Sequence, residues 1–258
     1  MNSEPILSVR KLEKRYGNFI GCTDVSFDVW PGEVIAIVGE SGSGKTTLLN
    51  CISTRLERSS GEIRYRLRDR RFPDLAELSE AELRFLMRTD WGFVHQNPAD
   101  GLRMRVSAGA NVGERLMAVG DRNYGEIRRR ASDWLERVEI AASRIDDMPV
   151  SFSGGMRQRL QIARNLVTHP RLIFMDEPTG GLDVSVQARV LDLLRMLVSD
   201  LGLSVIIVTH DLGVARLLSQ RIIVMKSGRI VEQGLTDRVM DDPSHPYTQL
   251  LVASILEN

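Results

Sequence analysis

The residues able to do chemistry fall into a few short stretches of this 258-residue chain. Gly39-Glu40-Ser41-Gly42-Ser43-Gly44-Lys45-Thr46 fills the pattern GxxxxGK[ST]. It follows an apolar run that reads as a strand and precedes a stretch that reads as a helix, the context this motif requires. Its glycines let the backbone fold tightly enough for successive N–H groups to face phosphate oxygens, and the positive end of the following helix adds to that field. Lys45 is placed to neutralise β- and γ-phosphate charge. Thr46 is placed to put its hydroxyl on Mg²⁺, which bridges the same phosphates and disperses charge as a γ-phosphoryl group leaves.

Leu172-Ile173-Phe174-Met175-Asp176-Glu177 delivers two carboxylates at the C-terminal end of an apolar strand, where open α/β sheets place their ligands. Asp176 suits Mg²⁺, reached through water, and Glu177 can orient and deprotonate an attacking water. Standing alone, such a pair reads as a helix cap or a solvated turn; next to a phosphate loop the catalytic role gains weight. Ser153-Gly154-Gly155 opens a helix and offers a hydroxyl and N–H groups at its positive end, either as a plain Ser cap or as a second phosphate-binding surface. One chain hardly needs two such surfaces, so this one is expected to serve the nucleotide of another protomer. Gln96, after Trp91–His95, and His210, after Val205–Thr209, emerge at strand ends where each could reach a γ-phosphate or its water.

The elements that must hold these groups follow from hydrophobic periodicity. Val25, Phe27 and Val29 alternate with Ser26 and Asp28 up to a Pro31-Gly32 turn, a half-buried strand in an antiparallel opening piece. Val34–Val38 is a continuous β-branched run, as expected of a strand covered on both faces. A strand is expected over Glu62–Leu67, and Ser79 with Glu82 forms a capping box opening a helix through Met87. The stretch from Val106 to Val150 reads as mostly helical, with Glu126–Val138 amphipathic and Pro149 closing it, an inserted helical lobe. From Gly155 onward helix and strand alternate through Leu172–Met175, Val186–Leu201 and Ser204–Val208 to a hairpin around Lys226-Ser227-Gly228, which implies a parallel sheet wound with helices. Val190, Leu194, Leu197 and Leu201 are core packing at helical spacing.

Bulk properties narrow the class. The length allows one large α/β domain with lobes rather than two independent units. Lys and Arg total 34 against 34 Asp and Glu, so net charge gives no reason to expect wholesale attraction to nucleic acid or anionic lipid. Cys22 and Cys51 lie far apart without a CxxC pattern, which argues against a metal site or disulfide framework and fits a reducing cytoplasm. The apolar runs are far shorter than the roughly 20 residues a membrane span needs, and the first residues do not form a signal peptide. Any membrane role is therefore expected to come through a partner.

Together these stretches resemble the ATP-binding-cassette (ABC) family over nearly the whole chain. Gly39–Thr46 corresponds to Walker A, Gln96 to the Q-loop, Ser153-Gly154-Gly155 to the signature, Asp176 to the end of Walker B, Glu177 to the catalytic glutamate, Gly181-Leu182-Asp183 to the D-loop and His210 to the switch histidine. The resemblance implies a P-loop α/β nucleotide-binding domain, one domain over 1–258. Its mixed-sheet ATP-binding core would span about 1–96 and 161–258, with an N-terminal antiparallel β subdomain and a helical subdomain inserted at about 97–160. It implies that Tyr16 stacks on adenine, that Gly39, Ser41, Gly42, Gly44, Lys45, Thr46 and Thr47 hold the phosphates of ATP, and that Mg²⁺ is bound by Thr46, Gln96 and Asp176. Glu177, His210 and Gln96 are the implied catalytic residues. It further implies a head-to-tail homodimer on ATP binding, each ATP also meeting the other chain's Ser153, Gly154 and Gly155, with Asp183 coupling the sites. Two departures stand out: Phe152 and Met156 flank the signature glycines where Leu and Gln are commoner, and Gly180-Gly181 opens the D-loop in place of Ser-Ala.

Within the family, His95–Arg103, Val106–Gly109, Gly113–Met117 and Thr179–Asp183 look like the ATP-binding subunits of bacterial carbon-phosphorus lyase systems for phosphonate use. That resemblance implies a soluble carbon-phosphorus lyase core complex as partner, in the cytoplasm. Asp241–Leu251 and Gly181–Gln187 also resemble oligopeptide-importer ATPases, the competing assignment, whose partner is a membrane permease. A third possibility, contact with nucleic acid, is raised by Arg64, Arg66, Arg68, Arg70 and Arg71. The balanced charge weighs against it, and those arginines are read first as a solvated strand edge and only then as a protein-docking surface.

Overall fold

Runs of β-branched residues form the strands, and capped amphipathic stretches form the helices, of the computed structural model, which describes residues 4–256. In chain order the strands are β1 Leu7–Tyr16, β2 Phe19–Val29, β3 Val34–Val38, β4 Ser60–Tyr65, β5 Trp91–Val94, β6 Leu172–Asp176, β7 Ser204–Val208, β8 Arg221–Lys226 and β9 Arg229–Leu235. The helices are α1 Lys45–Ile52, α2 Glu80–Thr89, α3 Pro98–Gly101, α4 Ala108–Ala118, α5 Tyr124–Arg137, α6 Gly154–Leu166, α7 Val184–Leu201, α8 Leu212–Leu218, α9 Thr236–Asp241 and α10 Pro246–Leu256. They form two compact units, one made of Met1–Glu80 with Gly202–Asn258 and the other of Ala81–Leu201. None of the described helices is long and apolar enough to cross a membrane.

In the first unit, β1 pairs antiparallel with β2 and β4, giving the expected N-terminal antiparallel sheet in the order β2-β1-β4. β3 pairs in parallel with β7 on one side and β8 on the other, and β9 folds back antiparallel on β8, so the core sheet is mixed. All five residues of β3 and of β7 are buried, which is why neither alternates. The β8–β9 hairpin turns at Ser227 and Gly228, both left-handed with φ of 48° and 79°, as a tight two-residue hairpin demands.

The strand expected over Glu62–Leu67 lies instead at Ser60–Tyr65. Its ladder with β1 ends at the Leu7–Tyr65 pair, and Leu67 already belongs to a turn in which the Arg70 N–H donates to the Leu67 carbonyl at 3.0 Å. The neighbouring arginines are matched locally. Arg64 meets Glu62 at 3.1 Å, Arg66 meets Glu4 at 2.8 Å and lies over the Phe72 ring, and Arg71 meets Asp69 at 2.7 Å. Such pairing on the outer strand of the sheet favours a solvated, charge-compensated edge.

In the second unit, β5 and β6 run parallel from the Trp91–Leu172 pair to the Val94–Met175 pair. Their start is fixed by Asp90, whose carbonyl accepts from the N–H groups of Arg171 and Leu172 and whose buried carboxylate holds the Arg171 guanidinium at 2.6 Å. Trp91 meets Phe174 edge-on at 5.2 Å. Helix α5 buries Ile127, Ala131, Trp134 and Leu135, the apolar stripe expected of this stretch, and it begins at Tyr124 because Asn123 caps it through the Glu126 N–H. Helix α7 starts at Val184, two residues earlier than its apolar period suggests, and buries Val190, Leu194 and Leu197.

Candidate active site

The loop after β3 is shaped by Gly39, Gly42 and Gly44, with φ of 146°, 79° and 101°. Space matters as much as torsion. A Cβ on Gly39 would run into the Met225 carbonyl, and one on Gly44 into the Gly21 carbonyl, so the loop lies pressed on the backbones of β8 and β2. Further contacts brace it: the Gly228 N–H donates to the Ser43 carbonyl at 2.9 Å, and the Glu40 N–H donates to the Tyr247 hydroxyl at 3.0 Å.

Lys45 opens α1 and is only 7% exposed, its Nζ 2.8 Å from the carbonyl oxygens of both Gly39 and Glu40. Ser43 Oγ is buried with no hydrogen-bond partner among the described residues. Gly44, the residue before α1, supplies no side-chain cap to the helix's first N–H groups. A held ammonium, an orphan hydroxyl and an uncapped helix start make a donor-rich cradle that fits phosphate oxygens. Ser41, Gly42 and Thr46 are exposed and Thr47 half-buried.

Tyr16 ends β1 and is 46% exposed. A Cβ on Gly21 would lie 2.8 Å from both Tyr16 Cε2 and Thr47 Cγ2, so the absent side chain at 21 lets this ring sit beside the first turn of α1. Phe19 is its cross-strand neighbour, at 6.4 Å between ring centroids. His210 is exposed just past β7, where the preceding Thr209 N–H still donates to the Ile37 carbonyl of β3. The first unit therefore gathers Tyr16, the phosphate loop, Thr47 and His210 at the C-terminal ends of β3 and β7 and the end of β1. Sequence reasoning passes over Gly21, Gly228 and Tyr247 as supports of this loop. Only the family-like tail stretch around Tyr247 offered any signal.

In the second unit, Asp176 is the last residue of β6 and Glu177 leaves the strand line with φ of 46°, a left-handed conformation that non-glycine residues rarely adopt. Both are half-buried. The Gly180 N–H donates to the Glu177 carbonyl at 2.9 Å, and a Cβ on Gly180 would lie 3.4 Å from Gln96 Nε2 and 3.4 Å from Glu177 Cβ. Gln96 and Glu177 are thus both brought beside Gly180. Gly181 follows with φ of 75°, a torsion that suits glycine better than alanine. The Asp176 carboxylate and the Thr46 hydroxyl are hard oxygen donors of the kind that suits Mg²⁺.

Ser153 Oγ accepts from the Met156 N–H at 3.3 Å, so the serine does cap α6. That role uses the oxygen as acceptor and leaves the hydroxyl proton to donate, so capping and phosphate binding are compatible. A Cβ on Gly154 would meet Leu182 at 3.4 Å and one on Gly155 would run into Val186 Cγ1, which packs this turn on the start of α7. The Asp183 carbonyl accepts from the Val186 and Gln187 N–H groups, and its side chain is exposed beside Val184, itself 84% exposed. The unusual Phe152 and Met156 share one neighbour: the Arg144 guanidinium lies 4.6 Å over the Phe152 ring and 3.4 Å from Met156 Sδ.

A family model described as ABC transporter matches residues 22–180. The chain is 67% identical to PhnK of Escherichia coli strain K12, a phosphonates utilization ATP-binding protein, over 99% of this chain and 100% of that protein. It is 38% identical to BMEII0863 of Brucella melitensis biotype 1, a peptide import ATP-binding protein, over 99% of this chain and 79% of that one. Among solved structures it is similar to the dimeric post-hydrolysis state of the ATP-binding cassette MJ0796 bound to ADP and Pi, with a TM-score of 0.78 and 30% identity over 89% of this chain and 98% of that one.

Proposed function

This chain belongs to the ABC transporter family of ATP-binding cassettes, and from that premise we propose that it is the ATPase subunit that drives or remodels a carbon-phosphorus lyase complex in phosphonate catabolism. Binding and hydrolysis of ATP follow from the family. The finer assignment is supported by one observation, the 67% identity to PhnK over both full lengths, against 38% to the peptide import protein.

In this account, Tyr16 stacks on adenine, and Gly39, Ser41, Gly42, Gly44, Lys45, Thr46 and Thr47 bind and orient the phosphates. Thr46, Gln96 and Asp176 would hold Mg²⁺, which would supply charge neutralisation for the phosphates. Glu177 orients the attacking water and takes its proton, while Gln96 and His210 monitor the γ-phosphate. Ser153, Gly154, Gly155 and Asp183 serve the nucleotide of a second, identical cassette. The chain works as one nucleotide-binding domain with a helical subdomain at about 97–160 and the ATP-binding core in about 1–96 and 161–258. Its setting is the cytoplasm, with a soluble complex rather than nucleic acid as partner.

A second assignment, the motor of an oligopeptide- or phosphonate-type importer docked on a permease, draws on the peptide import relative. One experiment separates the two. The Glu177→Gln variant is used with Mg-ATP as bait in extracts of cells grown on a phosphonate, and bound proteins are identified by mass spectrometry. Recovery of soluble carbon-phosphorus lyase subunits is the expected result; recovery of integral permease subunits would overturn it.

A further inference from the structure

Two buried amides on α6 have no part in the chemistry above. Gln161 and Asn165 are 0% and 3% exposed and lie four residues apart, hence on one face of the helix. Asn165 Oδ1 accepts from the Phe93 N–H at 3.0 Å, and its Nδ2 donates to the Phe93 carbonyl at 2.9 Å. Gln161 repeats the pattern two residues on, at the residue just past β5: its Oε1 accepts from the His95 N–H at 2.6 Å and its Nε2 donates to the His95 carbonyl at 3.1 Å. Residues two apart on a strand turn their N–H and C=O groups to the same edge, so Phe93 and His95 address α6 while β6 lies along the opposite edge. The repeats match, since four helical residues rise about 6 Å and two strand residues about 6.6 Å. Helix α6 thus takes the place of a neighbouring strand.

The fit admits little slack. A side chain on Gly101 would run into Gln161 Oε1, and one on Gly92 would approach Asn165 Cβ at 3.2 Å. Gln161 Nε2 also donates to Gln158 Oε1 at 3.2 Å, which extends the amide chain toward the Ser153 end of the helix. An apolar residue would fill either position without the desolvation that a buried amide must offset through full hydrogen bonding. What the amides add is register: they fix the main chain of residues 93 and 95, immediately before Gln96, to the helix that begins at the signature glycines.

We infer that Gln161 and Asn165 are positioning residues that bind the strand delivering Gln96 to the signature helix, so that the γ-phosphate sensor and the Ser153–Gly155 turn move as one piece. The inference rests on the role assigned to Gln96 above. It is tested by steady-state ATP hydrolysis of the full chain carrying Gln161→Leu, alone and combined with Gln96→Ala, with Leu160→Ala as a comparison that destabilises the same helix. A positioning role predicts that Gln161→Leu lowers kcat about tenfold with KM for ATP within about twofold. It also predicts almost no further loss when Gln161→Leu is added to Gln96→Ala, because the placement of an absent group no longer matters. Leu160→Ala should instead multiply with Gln96→Ala. An unchanged kcat in folded Gln161→Leu, or losses that multiply as those of Leu160→Ala do, overturns the clamp. If Gln161→Leu does not fold, Gln161→Glu, which keeps the acceptor for His95 and loses the donor, enters the same cycle under the same criteria. An unchanged kcat in Gln96→Ala itself would remove the role of Gln96 and the inference with it, a failure distinct from that of the clamp.

Discussion

At the scale of single residues, Lys45 and Glu177 should fail in different ways. Lys45 is a buried cation held at the mouth of a helix, and removing it takes a charge-assisted partner from the phosphates. Lys45→Ala should therefore weaken nucleotide binding by roughly ten- to a hundredfold, as read by titration of a fluorescent ATP analogue; an unaltered affinity would contradict its role. Glu177→Gln keeps shape and polarity and loses only the basic oxygen, so binding should persist while phosphate release falls about 10²- to 10⁴-fold. Turnover at the parental rate would sink the general-base assignment. The types and order of both residues were legible from sequence. The left-handed backbone of Glu177 was not, because glutamate itself gives no signal for such a torsion, which only its surroundings can impose.

At the scale of elements, the phosphate loop draws its shape from strands and a helix remote in sequence. Helix α10 contributes Tyr247, 5% exposed, whose hydroxyl accepts from the Glu40 N–H. Its start is held in turn by Glu232 of β9, which accepts from the N–H groups of Ser244 and His245 at 2.8 and 3.0 Å. Lys226 lies 4.6 Å over the Tyr247 ring. Burial, the largest cause, keeps this phenol above its usual titration range, with the Glu40 charge adding to it and the Glu40 N–H opposing, so it stays neutral through physiological pH. Tyr247→Phe leaves that N–H without its acceptor at a cost of about 1–3 kcal/mol. We expect KM for ATP to rise several-fold, with a smaller change in kcat and a slightly lower unfolding midpoint, measured by initial rates and thermal melts. If both KM and the midpoint stay at parental values, the contact does not hold the loop. Periodicity located α5, α7 and the β8–β9 hairpin from sequence alone, since those elements are set by local spacing and turn chemistry. It misplaced β4 because the strand ends where its partner β1 begins, a fact of pairing rather than of local pattern.

At the scale of the whole molecule, the exposed Ser153, Gly154 and Asp183, in a chain whose Lys and Arg balance its Asp and Glu at 34 against 34, motivate the proposed pairing of two identical cassettes. Light scattering on the Glu177→Gln variant should show the mass rising from 29.0 kDa toward twice that value on adding Mg-ATP and returning when nucleotide is removed; a constant monomer mass would count against the homodimer. The sequence by itself determined the family, the α/β class and most element positions, and it named the candidate site residues, because phosphate loops, buried strands and capped helices are written in residue types at fixed short spacing. Tertiary structure alone decided that Gly21 makes room for Tyr16 beside Thr47, that Gln96 and Glu177 both come beside Gly180, that Arg144 joins the two unusual signature neighbours, and that Gln161 and Asn165 bond the edge of β5 and the residue after it. Each of these depends on groups far apart in the chain meeting within a few ångströms, and no local pattern records which distant backbone or side chain will arrive there.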